Sequence, residues 1–121
     1  MQPNETYTDL ERPVYGTLMN DYQKFVKGMK RYPEKHAIIY PALGLCGEAG
    51  EIAEKIKKWL RGDKGDLDKD ALLKELGDPL WYIAAIADDL GYTLQDVVDA
   101  NVEKLTSRKE RGVIKGSGDN R

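Results

Sequence analysis

The sequence predicts an all-α fold, a bundle of four helices, from three observations. Apolar residues recur at steps of three and four along four segments, the spacing that places them on one face of a helix. Short breaks rich in Gly, Pro and Asp separate these segments, as loops between helices do. No segment sustains the alternation of apolar and polar residues that a half-buried strand requires. We therefore expect a four-helix bundle-type domain.

Prolines delimit the first two helices. The first spans residues 14–30, and its apolar face comprises Leu18, Tyr22, Phe25, Val26 and Met29. It ends before Pro33, because the residue preceding a proline avoids the helical region. Pro41 suits the first turn of the second helix, where its missing N–H is not needed. That helix runs to about Leu60, ahead of the loop "RGDKGD".

Capping residues delimit the other two helices. The third begins near Asp68, a suitable N-cap, and ends at Gly91, which suits the position after a helix C-terminus. Thr93 and Asp96 form the pattern of a capping box at the start of the fourth helix, residues 94–110.

Length and burial pattern indicate one domain that associates with itself. The 121 residues suffice for a single domain, 1–121, with a loose N-terminal arm at 1–13 and a flexible tail at 112–121. In the third helix "PLWYIAAIA" is apolar nearly all round, which indicates burial on more than one side and predicts a homo-oligomer.

Composition excludes several classes of function. The net charge of −2 gives no basic field for nucleic acid. No apolar run approaches a membrane span and no signal peptide precedes the domain, so we expect a cytoplasmic location without membrane contact. The single cysteine, Cys46, excludes an intrachain disulfide and a multi-cysteine zinc site, and we expect it to be a small buried residue.

Two pairs of acidic residues border the apolar stripes of consecutive helices. Glu48 and Glu51 lie on the second helix, and Glu75 and Asp78 on the third. Acids three residues apart share one helix face, and two helices packed at about 8–10 Å can bring four carboxylates together. We expect Asp78 to face protein rather than solvent. Crowded carboxylates require a cation, and Mg²⁺ fits oxygen ligands.

Spacing alone is a weak signal, because 21 acidic residues give roughly three or four such pairs by chance. The stronger signal is a resemblance carried by "GLCGEAGEIAEKIKKWLRG" and "LLKELGDPLWYIAAIADDLGYTLQDVVDANVEKLTSRKERG". From about Tyr22 to the C-terminus the chain resembles the MazG-like nucleotide pyrophosphohydrolases of the all-α NTP pyrophosphatase superfamily. It departs from many relatives at Gly47, where they carry a further glutamate, and Pro79 follows the second acidic pair directly.

The resemblance implies Mg²⁺-dependent hydrolysis of nucleoside triphosphates, often deoxynucleotides, to the monophosphate and pyrophosphate, with Mn²⁺ as a substitute metal. It also implies a homodimer or a dimer of dimers. The metal ligands would be Glu48, Glu51, Glu75 and Asp78, and either Glu48 or Glu51 would be the catalytic base. Phosphate-binding candidates lie beside the acidic pair or along one flank of the fourth helix: Lys55, Asn101, Lys104 and Arg108.

Other interpretations stay open at this point. The acidic pairs could instead set charge complementarity in a non-enzymatic helical dimerisation or interaction module. A dUTPase-type or phosphoribosyl-ATP-type relative on the same scaffold is a further alternative. The aromatic side chains of Trp59, Trp81 and Tyr82 are either core residues or a surface for stacking a base.

Overall fold

The described residues, 15–63 and 65–120, form four α-helices and a short 3-10 helix but no strand in a computed structural model. The α-helices are α1 (Tyr15–Met29), α2 (Ile39–Leu60), α3 (Lys69–Asp89) and α4 (Leu94–Glu110). This confirms the all-α prediction. The unpredicted 3-10 helix, Glu34–His36, lies between α1 and α2. The predicted N-terminal arm, 1–13, lies outside the described residues.

The helix ends follow the capping chemistry of the sequence. The carboxylate of Asp68 accepts a hydrogen bond from the Ala71 N–H at 3.0 Å at the start of α3. Thr93 and Asp96 form a complete capping box, in which each side chain accepts from the other residue's backbone N–H. Gly91 has φ +82 just after α3, a conformation that favours glycine.

The core lies where α1, α3 and α4 meet. It is built around Val26, Ala84, Ala85 and Leu94, and the small alanines allow the helices to approach closely. Gln23 is buried there: its side-chain NH₂ donates to the Tyr92 carbonyl at 2.9 Å and its oxygen accepts from the Leu94 N–H at 3.0 Å. It therefore satisfies one of the unpaired N–H groups at the start of α4.

The helices α2 and α3 form a hairpin in which α2 packs principally along α3. Gly44 makes the contact close, because the ring of Tyr82 occupies the space that a Cβ at this position would need. Pro79 lies inside α3 without ending the helix. This pairing brings the two acidic pairs of the sequence onto neighbouring helices.

Burial of the hairpin is less complete than the sequence predicts. The alanines in the apolar segment of α3 are buried, whereas Leu80 in that segment and Leu76 one turn before it are exposed. The expected burial of Cys46 is wrong, since it too is exposed. The physical reason is that the residues described leave these sides of α2 and α3 uncovered. Among the described residues, no helix combines the length and the apolar character that a membrane span requires.

Candidate metal and nucleotide site

Three carboxylates converge between α2 and α3. Glu48 comes from α2, whereas Glu75 and Asp78 lie three residues apart on α3. One carboxylate oxygen from each of them lies within 4.8 Å of the corresponding oxygens of the other two. We call these three residues the acidic cluster.

Electrostatics in the acidic cluster favour a bound cation. Desolvation raises the pKa of Glu48, and the negative charges of Asp78, Glu51 and Glu75 raise that pKa further. A divalent cation would relieve this repulsion. The ligand set is made of carboxylate oxygens alone, the donors that hard cations such as Mg²⁺ and Mn²⁺ accept. The residues present therefore fit such a metal.

The cluster is open to solvent on one side. Glu48 and Glu75 are half-buried, but Asp78 is exposed. The expectation that Asp78 faces protein is therefore wrong, because no residue in the described part of the chain covers its side of α3. An open side leaves room for a ligand to approach the three carboxylates.

Glu51, the fourth predicted acid, lies outside the group of three. It is exposed and sits about one helical turn after Glu48. Its charge still contributes to the raised pKa of Glu48. The structure thus separates the four acids into three that converge and one beside them.

The predicted phosphate-binding residues are not all in one place. The Lys55 Nζ lies 3.6 Å from Oε1 of Glu75, so this cation contacts the acidic cluster directly. Asn101 and Lys104 line a groove on α4. Arg108 is buried, and its guanidinium donates to the carbonyl oxygen of Asp119 at 3.0 Å.

An aromatic cavity of about 400 Å³ lies between the end of α1, the start of α2 and α3. Its walls include Tyr32, Tyr40, Trp81 and Tyr82, of which the sequence indicated only the last two. Burial raises the pKa of Tyr82, and the charges of Tyr40, Glu48 and Asp78 raise it further. We call this cavity the aromatic pocket.

A family model of the MazG nucleotide pyrophosphohydrolase domain matches residues 40–113. The chain belongs to this family. The matched stretch contains both acidic pairs of the sequence and the whole of α3 and α4. The MazG assignment agrees with the resemblance found in the sequence.

Two curated proteins are similar to this MazG chain. The gene 37 protein of Mycobacterium phage L5 is 53% identical over 85 residues, which cover 68% of this chain and 75% of that protein. The uncharacterized protein YvdC of Bacillus subtilis strain 168 is 39% identical over 74 residues, which cover 54% of this chain and 70% of that protein. Neither name states an activity. No solved structure matches the chain.

Proposed function

We propose that the protein hydrolyses nucleoside triphosphates, including deoxynucleotides, to the monophosphate and pyrophosphate. The supporting observation is the convergence of Glu48, Glu75 and Asp78 within 4.8 Å in a chain that belongs to the MazG family. A triphosphate carries several negative charges, so its binding to three carboxylates requires a divalent cation between them.

The metal that we propose is Mg²⁺, with Mn²⁺ as a substitute, held by the three residues of the acidic cluster. Such an ion would neutralise phosphate charge and help to orient a nucleophilic water. Oxygen from that water bonds to the α-phosphorus, the bond to the oxygen bridging the α- and β-phosphates breaks, and pyrophosphate leaves. Glu51 stands beside the cluster and is free of it, so we assign to Glu51 the acceptance of the water's proton.

Cationic side chains would complete phosphate binding. Lys55 contacts Glu75, and its ammonium group would be available to a phosphate if that carboxylate held a metal ion. Asn101 and Lys104 remain proposed phosphate ligands on α4. Arg108 could join them only after it releases the carbonyl of Asp119.

Self-association is part of the proposal. Three leucines follow one face of α3 at steps of three and four and expose a large share of their area: Leu73 60%, Leu76 55% and Leu80 44%. A row of this kind is typical of a helix that packs against another protein surface. We propose a homodimer or a dimer of dimers, which light scattering during gel filtration would detect.

A cytoplasmic location stays a prediction.

Pyrophosphate release from a panel of ribo- and deoxynucleoside triphosphates tests the activity. We expect release with Mg²⁺ and none after chelation. Glu51→Gln and Asp78→Asn should keep the helical circular dichroism spectrum and lose most activity. Glu103→Gln, which changes an exposed acid on α4, is the matched control. Full activity in Asp78→Asn would overturn the assignment of the site.

The exposed leucines also suit a second candidate function, a non-enzymatic interaction module. This reading predicts no pyrophosphate from any nucleotide and no change in thermal stability when Mg²⁺ is added. Product identification in the same panel would separate a general triphosphate pyrophosphohydrolase from a dUTP-directed or phosphoribosyl-ATP-directed enzyme.

A further inference from the structure

The second helix, α2, is held in place by few contacts. The core cluster consists of residues from α1, α3 and α4, and α2 contributes none. All residues of α2 are described, and Pro41 is the only buried one. The helix packs principally along α3, yet it supplies Glu48 to the acidic cluster. The geometry of the cluster therefore depends on where α2 lies along α3.

Contacts along the hairpin define one register of α2 against α3. Tyr82 lies against Gly44. Four residues further along α2 and four back along α3, a carboxylate oxygen of Glu48 lies within 4.8 Å of one of Asp78. A slip of one residue would displace Glu48 by about 1.5 Å along the helix axis and turn it by about 100°. Because Mg²⁺ demands near-ideal octahedral geometry, such a slip would remove Glu48 from the ligand set.

Asp89 fixes the open end of this hairpin, opposite the loop that connects α2 to α3. Its side chain is only 5% exposed, and its Oδ2 accepts a hydrogen bond at 2.9 Å from the N–H of Ile38, the residue just before α2. The same oxygen accepts from the Tyr32 hydroxyl at 2.7 Å, and Oδ1 accepts from Lys30 Nζ at 2.7 Å. In the described part of the chain, the bond to Ile38 is the one hydrogen bond that joins α3 to the start of α2.

The backbone at Ile38 is strained and needs contacts that hold it. Ile38 has φ +69 and ψ −53, and the Ile39 N–H donates to the Ala37 carbonyl at 2.7 Å. This is a γ-turn of the rare, strained form, and β-branched residues seldom adopt a positive φ. Strained backbone persists only where the surrounding structure maintains it. The Asp89 carboxylate supplies such a contact at the turn from which α2 starts.

We propose that Asp89 is a positioning residue of the acidic cluster, which fixes the start of α2 on α3 and so keeps Glu48 opposite the two carboxylates of α3. The inference rests on the proposed function for the role of a divalent cation at the cluster. Asp89 acts at a distance, because it lies eleven residues beyond Asp78, about three turns along α3.

Mn²⁺ affinity tests this role without requiring turnover. Asp89→Ala removes all three hydrogen bonds and should weaken Mn²⁺ binding by about 10-fold, as loss of an outer-shell partner does. Asp89→Asn keeps an oxygen for the Ile38 N–H and should retain part of the affinity, which also provides a test if Asp89→Ala folds poorly. Asp88→Asn is the matched control, because the Asp88 carboxylate bonds Lys30 at 2.6 Å but not Ile38. We expect it to have little effect.

A double-mutant cycle shows whether Asp89 acts through Glu48. Glu48→Gln alone should weaken Mn²⁺ binding by about 10-fold. If Asp89 positions Glu48, Asp89→Ala should cause less than about a twofold further loss in the Glu48→Gln background. Equal losses in both backgrounds would mean that the two residues act independently, and would overturn the positioning role.

Amide hydrogen exchange in the metal-free protein provides a second readout. Exchange at Ile38 and in the first turn of α2 should accelerate by about 10-fold or more in Asp89→Ala, while α4 exchanges as in the wild-type protein. Thr93→Ala weakens the cap of α4 instead and controls for a general loss of stability. It should change neither the exchange at the start of α2 nor the Mn²⁺ affinity. Uniform acceleration along all four helices in Asp89→Ala would overturn the proposal.

The outcomes separate the positioning role from the activity. Coupling between Asp89 and Glu48 in Mn²⁺ binding, without hydrolysis of any triphosphate, would support the positioning role and refute the proposed function. Hydrolysis by a protein whose Mn²⁺ affinity is the same in Asp89→Ala as in the wild type would support the function and overturn the positioning role. A wild-type protein without measurable Mn²⁺ affinity would also overturn the positioning role, whatever the nucleotide panel shows.

Discussion

Replacing Gly44 by alanine tests the close approach of α2 and α3 that brings the carboxylates together. The new methyl group would lie 2.7 Å from Cδ1 of Tyr82, with Cε1 and Cζ nearer still. The ring must move by about 1 Å to restore an ordinary separation of ~3.5–4 Å. Overpacking of this kind costs about 1–3 kcal/mol, whereas alanine gains about 1 kcal/mol over glycine in a helix.

Gly50 on the same helix provides the matched control, because a Cβ there meets nothing within 4 Å. The helix-propensity gain is common to both variants, so Gly44→Ala should be less stable than Gly50→Ala by about 1–3 kcal/mol. Urea denaturation measures that difference in the free energy of unfolding, and the midpoint of thermal unfolding should differ by at least ~3 °C. Equal stabilisation by both substitutions would refute the proposed packing of Tyr82 on Gly44.

Three further predictions follow from single contacts. Thr93→Ala removes the hydroxyl half of the capping box and should lower the free energy of unfolding by about 1 kcal/mol; an unchanged urea midpoint would contradict the cap. Burial and the hydrogen bond to Asp89 raise the pKa of Tyr32 from 10.0 to about 12. The stability linked to this phenol is therefore complete below pH 10 and lost as pH rises towards 12. In Asp89→Asn, a pH titration followed by phenolate absorbance should give a lower pKa for Tyr32 than in the wild-type protein. An unchanged pKa would refute the contact. Lys55→Gln removes a cation from Glu75 and should tighten Mn²⁺ binding by about two- to fivefold while raising the KM for triphosphate; weaker Mn²⁺ binding would contradict the contact.

Local chemistry made the helices predictable. The hydroxyl of Thr93 and the carboxylate of Asp96 act within one turn, so the start of α4 could be found without knowledge of the fold. The acidic pairs were equally visible, because residues three apart share a helix face.

The contacts that shape the site are not local, and the sequence could not supply them. Asp89 binds Tyr32 and Ile38 across 57 and 51 residues, and no periodicity encodes such a pairing. The positive φ of Ile38 is equally invisible, because isoleucine rarely adopts this conformation. The tyrosines between α1 and α2 were the available signal for the aromatic pocket.

Periodicity also cannot distinguish a core from an interface. Leu76 and Leu80 have the spacing of buried residues but are exposed. The expectation that Asp78 faces protein is also wrong, since its side chain is exposed. Which acids converge depends on side-chain directions at the α2–α3 contact, so Glu51 could not be separated from Glu48 by spacing alone.

Mn²⁺ binding, followed by the electron paramagnetic resonance signal of the free ion, tests the acidic cluster most directly. We expect the wild-type protein and Glu103→Gln to bind Mn²⁺ and Mg²⁺ to compete for the same site. Glu75→Gln and Asp78→Asn should each weaken binding by at least about 10-fold. Undiminished Mn²⁺ binding by both of these variants would contradict a metal site between α2 and α3.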